Sequence, residues 1–150
     1  MEHYDSNMAA RVWQRVQGTQ ESGNLAGEVL LLLAEETEDA WRYRQLSKNQ
    51  NKEKAATLAK LSDSSRQCVH TLRGIHYLLA GAYPETVRRS TAPSPAPLQS
   101  CYGNTLRRNA RYSQWSSHSE YGPAFAQMAV LSQQRCCLLL QLMGLQYNDK

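Results

Sequence analysis

Glu28-Val-Leu-Leu-Leu-Leu-Ala-Glu-Glu-Thr-Glu-Asp-Ala-Trp-Arg-Tyr-Arg-Gln-Leu-Ser47 is the stretch on which the reading of the chain turns. Leu25, Val29, Leu32, Glu36, Asp39/Ala40, Tyr43 and Leu46 recur at steps of three and four, which places them on one face of an α-helix. Glu36 lies inside this apolar stripe, and Tyr43 follows two turns later on the same face. An ionised carboxylate in such a place is costly unless it is paired, hydrogen-bonded or bound to a metal. The spacing predicts a long helix over residues 24–47.

Outward from this helix, the polar run Ser47-Lys-Asn-Gln-Asn-Lys52 is a short connection, so the next helix is expected to return antiparallel beside the first. That helix is predicted over 53–81, with Ala56, Leu58, Leu61, Ser65, Cys68/Val69, Leu72, Ile75/His76 and Leu79 as its stripe and Gly81 as its C-cap. Residues 82–97 hold four of the five prolines and read as a long crossover. A third helix is predicted over 98–117, with Leu98, Cys101/Tyr102, Thr105, Asn109, Tyr112 and Ser116 on one face. A fourth follows over 123–143, opened by Pro123 and closed by Gly144, with Phe125, Met128/Ala129, Ser132, Arg135/Cys136, Leu139 and Met143 inward. Toward the N-terminus, Asn7–Gln17 reads as a short amphipathic helix with Met8, Val12 and Trp13 inward and Trp13 as an anchor over the bundle end. Gly18 ends it, and Thr19–Gly23 forms a loop. The predicted organisation is a short segment over 1–22 and a bundle over 23–150. The fold class is all-α: an antiparallel four-helix bundle with one long crossover, a plan associated with ferritin-like folds.

Length and composition agree with a single folded unit: 150 residues, 41% apolar and 20% charged. The polar, acidic N-terminus carries no signal-peptide pattern, and the apolar run Val29–Ala34 is too short to span a bilayer. Cys68, Cys101, Cys136 and Cys137 have no CxxC spacing, so reduced thiols in a cytoplasmic protein are expected. Cys68 with His70 or His76, or adjacent Cys136 and Cys137, could suggest a soft metal. Residues two apart or adjacent on a helix do not face one way, and small buried hydrophobes are the expected role. The net charge of +4 arises in the second half, where Glu85, Glu120 and Asp149 are the only acids. Arg107, Arg108 and Arg111, with Arg88 and Arg89, form a basic patch that reads as a solvated face, and nucleic acid is not an expected partner. His118 is placed in a solvated loop. No catalytic triad, phosphate loop or nucleotide fingerprint is visible.

The halves repeat each other. Glu36 to Tyr43 and Thr105 to Tyr112 are both steps of seven, and Leu58-Ala-Lys-Leu-Ser62 matches Met128-Ala-Val-Leu-Ser132. With Leu72-Arg-Gly-Ile-His-Tyr-Leu-Leu-Ala-Gly81 and Glu120-Tyr-Gly-Pro-Ala-Phe-Ala-Gln-Met-Ala129, the pattern over residues 24–146 resembles the ferritin-like, rubrerythrin-type proteins. In that family the first and third helices each supply a Glu with a Tyr two turns on, and the second and fourth each supply Glu-x-x-His, together holding two irons. The resemblance places Glu36 and Tyr43 in the first helix and Thr105 and Tyr112 in the third. Ser132 and Arg135 take the fourth-helix positions, with Ser65 and Cys68 in the second (or Ser62 and Ser65 in the other register). Of these only Glu36 is a metal ligand of the family.

The resemblance and its missing ligands together imply a degenerate di-iron site in a non-catalytic bundle. Such a bundle is expected to act by association, as a homodimer or with another protein, and away from membranes. Glu36 is expected to pair with Arg135, and Tyr43 and Tyr112 to hydrogen-bond across the bundle. A dimer through Leu30, Leu31, Trp41 and Arg42 fits this reading. The alternatives are a residual iron- or peroxide-handling oxidoreductase on Glu36, with iron as cofactor, and an anion- or nucleic-acid-binding module on the third-helix arginines.

Overall fold

Four helices bury side chains along seams that alternate steps of three and four, the spacing that keeps one narrow stripe facing inward. The structure, a computed structural model, describes the backbone of residues 6–85 and 96–148 and the side chains of 25–85 and 96–144. The helices are α1 (Ser6–Ser47), α2 (Lys52–Ala80), α3 (Pro97–Trp115) and α4 (Gly122–Asn148). No strand occurs among the described residues.

On α1 the seam is Leu25, Val29, Leu32, Glu36, Asp39 and Tyr43. On α2 it is Leu58, Leu61, Ser65, Cys68, Leu72 and Ile75. The shorter α3 buries Leu98, Cys101, Thr105, Arg108 and Tyr112, and α4 buries Phe125, Met128, Ser132, Arg135, Leu139 and Leu142. Each seam is apolar at both ends and polar in the middle. One apolar cluster joins Leu25, Val29, Leu32, Leu72, Ile75, Tyr112, Phe125 and Met128, and a second joins Tyr43, Leu58, Leu61, Leu98, Cys101, Leu139 and Leu142. Between them Glu36, Asp39, Ser65, Thr105, Arg108, Ser132 and Arg135 form a polar layer, each at 1% exposure or less. The apolar layers supply the drive to fold, about 1.5–3 kcal/mol per large side chain buried, while the polar layer has to satisfy itself.

The helix ends follow local chemistry. The Asn51 side chain accepts from the Lys54 backbone N–H at 2.8 Å and caps α2. Gly81, at φ 75°, donates its N–H to the Tyr77 carbonyl and closes it, as expected from the glycine's place. Pro97 opens α3. Ahead of α4, His118 Nδ1 accepts from the backbone N–H groups of Glu120 and Tyr121 at 3.1 Å each, and its ring stacks on Tyr121. The residue expected to be a solvated loop histidine is a half-buried organiser of this turn.

Two expected boundaries are corrected. The first helix runs unbroken through Gly18 and Thr19–Gly23, and the fourth runs past Gly144 to Asn148. A lone glycine costs a helix only about 1 kcal/mol relative to alanine and stops it only where the chain also turns. At Gly144 an added Cβ would meet nothing, so no close approach marks a stop there. The side chains of Met8, Val12 and Trp13 and the crossover residues 86–95 lie outside the described residues. Among those described, no helix is long and apolar enough to cross a membrane.

Candidate functional site: a buried ion-pair layer

Position along the seam brings Glu36 and Asp39 from α1, Arg108 from α3 and Arg135 from α4 into one layer. The expected Glu36–Arg135 pair is present and two-pronged. Arg135 Nη1 donates to Glu36 Oε1 at 2.8 Å and Nη2 donates to Oε2 at 2.9 Å, a geometry that suits the fork of a guanidinium. Arg135 also donates to Ser65 Oγ at 2.6 Å and Ser132 Oγ at 3.1 Å, and reaches Cys68 Sγ at 3.5 Å. Of the two registers open for α2, the structure brings Ser65 and Cys68 to the arginine. Ser62 instead donates to the Ala40 carbonyl at 2.9 Å.

Arg108 is the residue that sequence reasoning missed. Placed on a solvated face by its neighbours Arg107 and Arg111, it is fully buried. Its Nε stands 2.7 Å from Glu36 Oε1 as a charge contact rather than an aligned hydrogen bond. Its Nη2 donates to Asp39 Oδ2 and, at 3.4 Å, to Thr105 Oγ1. Thr105 in turn donates to the Cys101 carbonyl at 2.6 Å. A usable signal existed: Leu98, Cys101, Thr105, Arg108 and Tyr112 run at steps of three, four, three and four, whereas the choice of Asn109 broke the alternation. Asp39 was on the expected stripe without a role. The basic patch itself dissolves further, since Arg111 pairs with Glu28 at 2.7 Å and Glu35 at 2.5 Å, and Arg107 bonds Asn104. Arg88 and Arg89 lie outside the described residues.

The electrostatics follow from burial and pairing. Burial works to raise the Glu36 carboxyl, but Arg135 and then Arg108 outweigh it and hold it below its ordinary value. Asp39 goes the other way: burial dominates over the attraction of Arg108, and its carboxyl is raised. Both arginines are opposed by burial yet held above their usual range by Glu36, with Asp39 adding to the effect on Arg108. Two carboxylates and two guanidiniums leave the layer formally neutral. These ion pairs from α1 to α3 and α4 run one way, with acids on α1 and arginines on the other pair: Glu28 and Glu35 to Arg111, Glu36 to Arg108 and Arg135, Asp39 to Arg108.

Tyr43 and Tyr112 flank the layer, fully buried, and the expectation of hydrogen bonds across the helices is corrected for Tyr112. The Tyr112 hydroxyl has no hydrogen-bond partner among the described residues, whereas the Tyr43 hydroxyl lies beside Thr105 and Cys101, and burial raises both phenols well above their ordinary value. Each ring sits in an apolar cluster, and Tyr112 packs on Phe125 at 6.3 Å between centroids. Cys68, Cys101 and Cys136 are buried free thiols and Cys137 is exposed. Burial pushes the Cys101 thiol up to about 12.

The residues around Glu36 do not fit a di-iron centre of the ferritin-like kind. Such a centre needs several carboxylates with open lone pairs and imidazoles beside them. Here both Glu36 oxygens are taken by Arg135, and Arg108 adds a second cation at Oε1. Among the described residues no three His, Cys, Asp or Glu side chains gather as a ligand set. Comparison with protein-family models, curated proteins and solved structures returned no match.

Proposed function

We propose that the chain is a ferritin-like, antiparallel four-helix bundle in which an ion-pair layer stands where the related plan carries a di-iron site, and that it works by protein association rather than catalysis. The duplicated seam, the two helix pairs and the placement of Glu36, Thr105, Ser132 and Arg135 in one central layer support this reading. The observation that carries it is the two-pronged closure of Glu36 by Arg135, with Arg108 against the same carboxylate. A carboxylate so engaged has its charge met by two guanidiniums, and a metal cation beside them meets like charge. Association with a second copy or another protein then becomes the activity left to the surface, and Leu30 and Leu31 stand 42% and 60% exposed on α1.

The test is elemental analysis of protein purified after growth in iron, with Fe(II) and peroxide titration of the same sample. The expected result is trace iron and no turnover above buffer. Near-stoichiometric iron lost in Glu36→Ala, or peroxide consumption dependent on Glu36, would move the assignment to an iron-dependent oxidoreductase.

A further inference from the structure

The outer groove between α1 and α2 is lined by Thr37, Ala40, Trp41 and Arg44 from one helix and Ser62, Arg66 and Val69 from the other. It carries two arginines, a tryptophan and a valine, and no acid. Helical spacing extends it along α2: Arg73 is seven residues past Arg66, and Tyr77 eight past Val69. At that end Tyr77 stacks on Tyr83 at 4.7 Å, and the Arg73 guanidinium lies 5.5 Å over the Tyr83 ring. Tyr77 is 45% and Tyr83 61% exposed. On α1, Leu30 continues the same stripe seven residues before Thr37. From Ser62 to Tyr77 this face of α2 spans about 22 Å, four turns of helix.

We propose that this groove seats an amphipathic helix of another protein, one whose apolar stripe is flanked by Asp and Glu. Resting on the association reading above, this names the kind of partner. Two helices side by side present a concave apolar seam that a third helix fills with residues at i, i+3, i+4 and i+7. Arg44 and Arg66 line the seam and Arg73 follows on the same face of α2, all of one sign, so acids on the incoming helix are rewarded and lysines repelled. A second copy docking face to face would set these arginines against their own counterparts. An acidic and apolar strip on α1, Leu31 beside Glu28 and Glu35, has both carboxylates engaged by Arg111.

The experiment is a display selection of random 16-residue helical peptides on the full chain, followed by titration against the wild type and an Arg66→Glu/Arg73→Glu variant. Both replaced residues are exposed, so unchanged circular dichroism and melting are expected of the variant. Enriched peptides should carry an apolar helical stripe with acidic flanks, and should bind the variant at least tenfold more weakly. No enrichment, enrichment without acidic bias, or equal binding to the variant would overturn the proposal. Two companion probes decide the class of partner. Tighter binding of a 12-nucleotide single strand, lost in the variant, would reassign the groove to nucleic acid. A concentration-dependent dimer in light scattering that the variant abolishes would reassign it to a second copy. Iron content bears on none of these outcomes, so failure here is distinguishable from failure of the metal-free reading.

Discussion

Replacing Arg135 with methionine removes the cation from the polar layer while keeping most of the volume. The wild-type layer holds Glu36 and Asp39 against Arg108 and Arg135. In Arg135→Met, Glu36 loses both strong hydrogen bonds and keeps the misaligned Arg108 Nε and the Cys68 thiol, Ser65 and Ser132 lose their arginine partner, and the buried layer acquires a net negative charge. Breaking a buried pair by deleting one member costs about 3–5 kcal/mol, because the surviving charge remains out of water. At about 2–4 °C per kcal/mol for a chain of this size, the melting temperature should fall by roughly 6–20 °C. The double variant Glu36→Leu/Arg135→Met removes the pair together and leaves Asp39 with Arg108, so it should lie within about 2 kcal/mol of wild type or above it. Urea denaturation of wild type, both single variants and the double variant gives the full cycle. A single variant within about 1 kcal/mol of wild type, or a double variant worse than Arg135→Met, would refute the claim that charge pairing governs this layer.

The two acids should respond oppositely to pH. Glu36, held below its ordinary value, contributes stability that is present above its unfolded pKa and lost as pH falls through its folded one. Asp39, raised by burial, contributes stability present below its unfolded pKa and lost as pH rises through its folded one. Glu36→Gln should therefore cost more at neutral pH than at acid pH, and Asp39→Asn should be the milder change at neutral pH; stability curves from pH 3 to 8 check both. With a thiol reagent on the folded protein, Cys137 should react first, and Cys68 and Cys101 only on unfolding, which mass spectrometry of the labelled peptides resolves. Gly122→Ala should destabilise by about 2 kcal/mol or more, since its Cβ would lie 2.4 Å from the Ser116 backbone oxygen and neither side of that contact is flexible. Calorimetry against Gly144→Ala, where a Cβ meets nothing, supplies the contrast.

The four bundle helices and the polar middle were legible, though the continuity of the first helix through Gly18 was not, because the three-and-four alternation of buried positions survives the replacement of leucine by glutamate or arginine. Glu36 and Arg135 stood out as ions among apolar neighbours on their own helices. Arg108 did not, because Arg107 and Arg111 flank it and a run of arginines resembles a wet surface when read by composition. Its burial depends on two carboxylates supplied 69 and 72 positions away in the chain, which no local window contains. The unpaired hydroxyl of Tyr112 was illegible for a similar reason: a hydrogen bond needs angles and distances, and periodicity supplies only a face. Glycine misled at Gly18 and Gly144 and was informative at Gly81, where the chain turns and φ becomes positive.

The one-way wiring of the layer has a consequence for assembly of the chain itself. If the first helix pair met another first pair, Glu36 and Asp39 would confront carboxylates; if the second met another second, Arg108 and Arg135 would confront guanidiniums. Like-with-like juxtaposition in a dry core is among the most strongly penalised arrangements available to a protein. The repeat thus carries a lock-and-key polarity between its halves that an unmodified duplication would lack. Two molecules could still trade halves and recover every contact, so domain exchange is the form of self-pairing that this code permits.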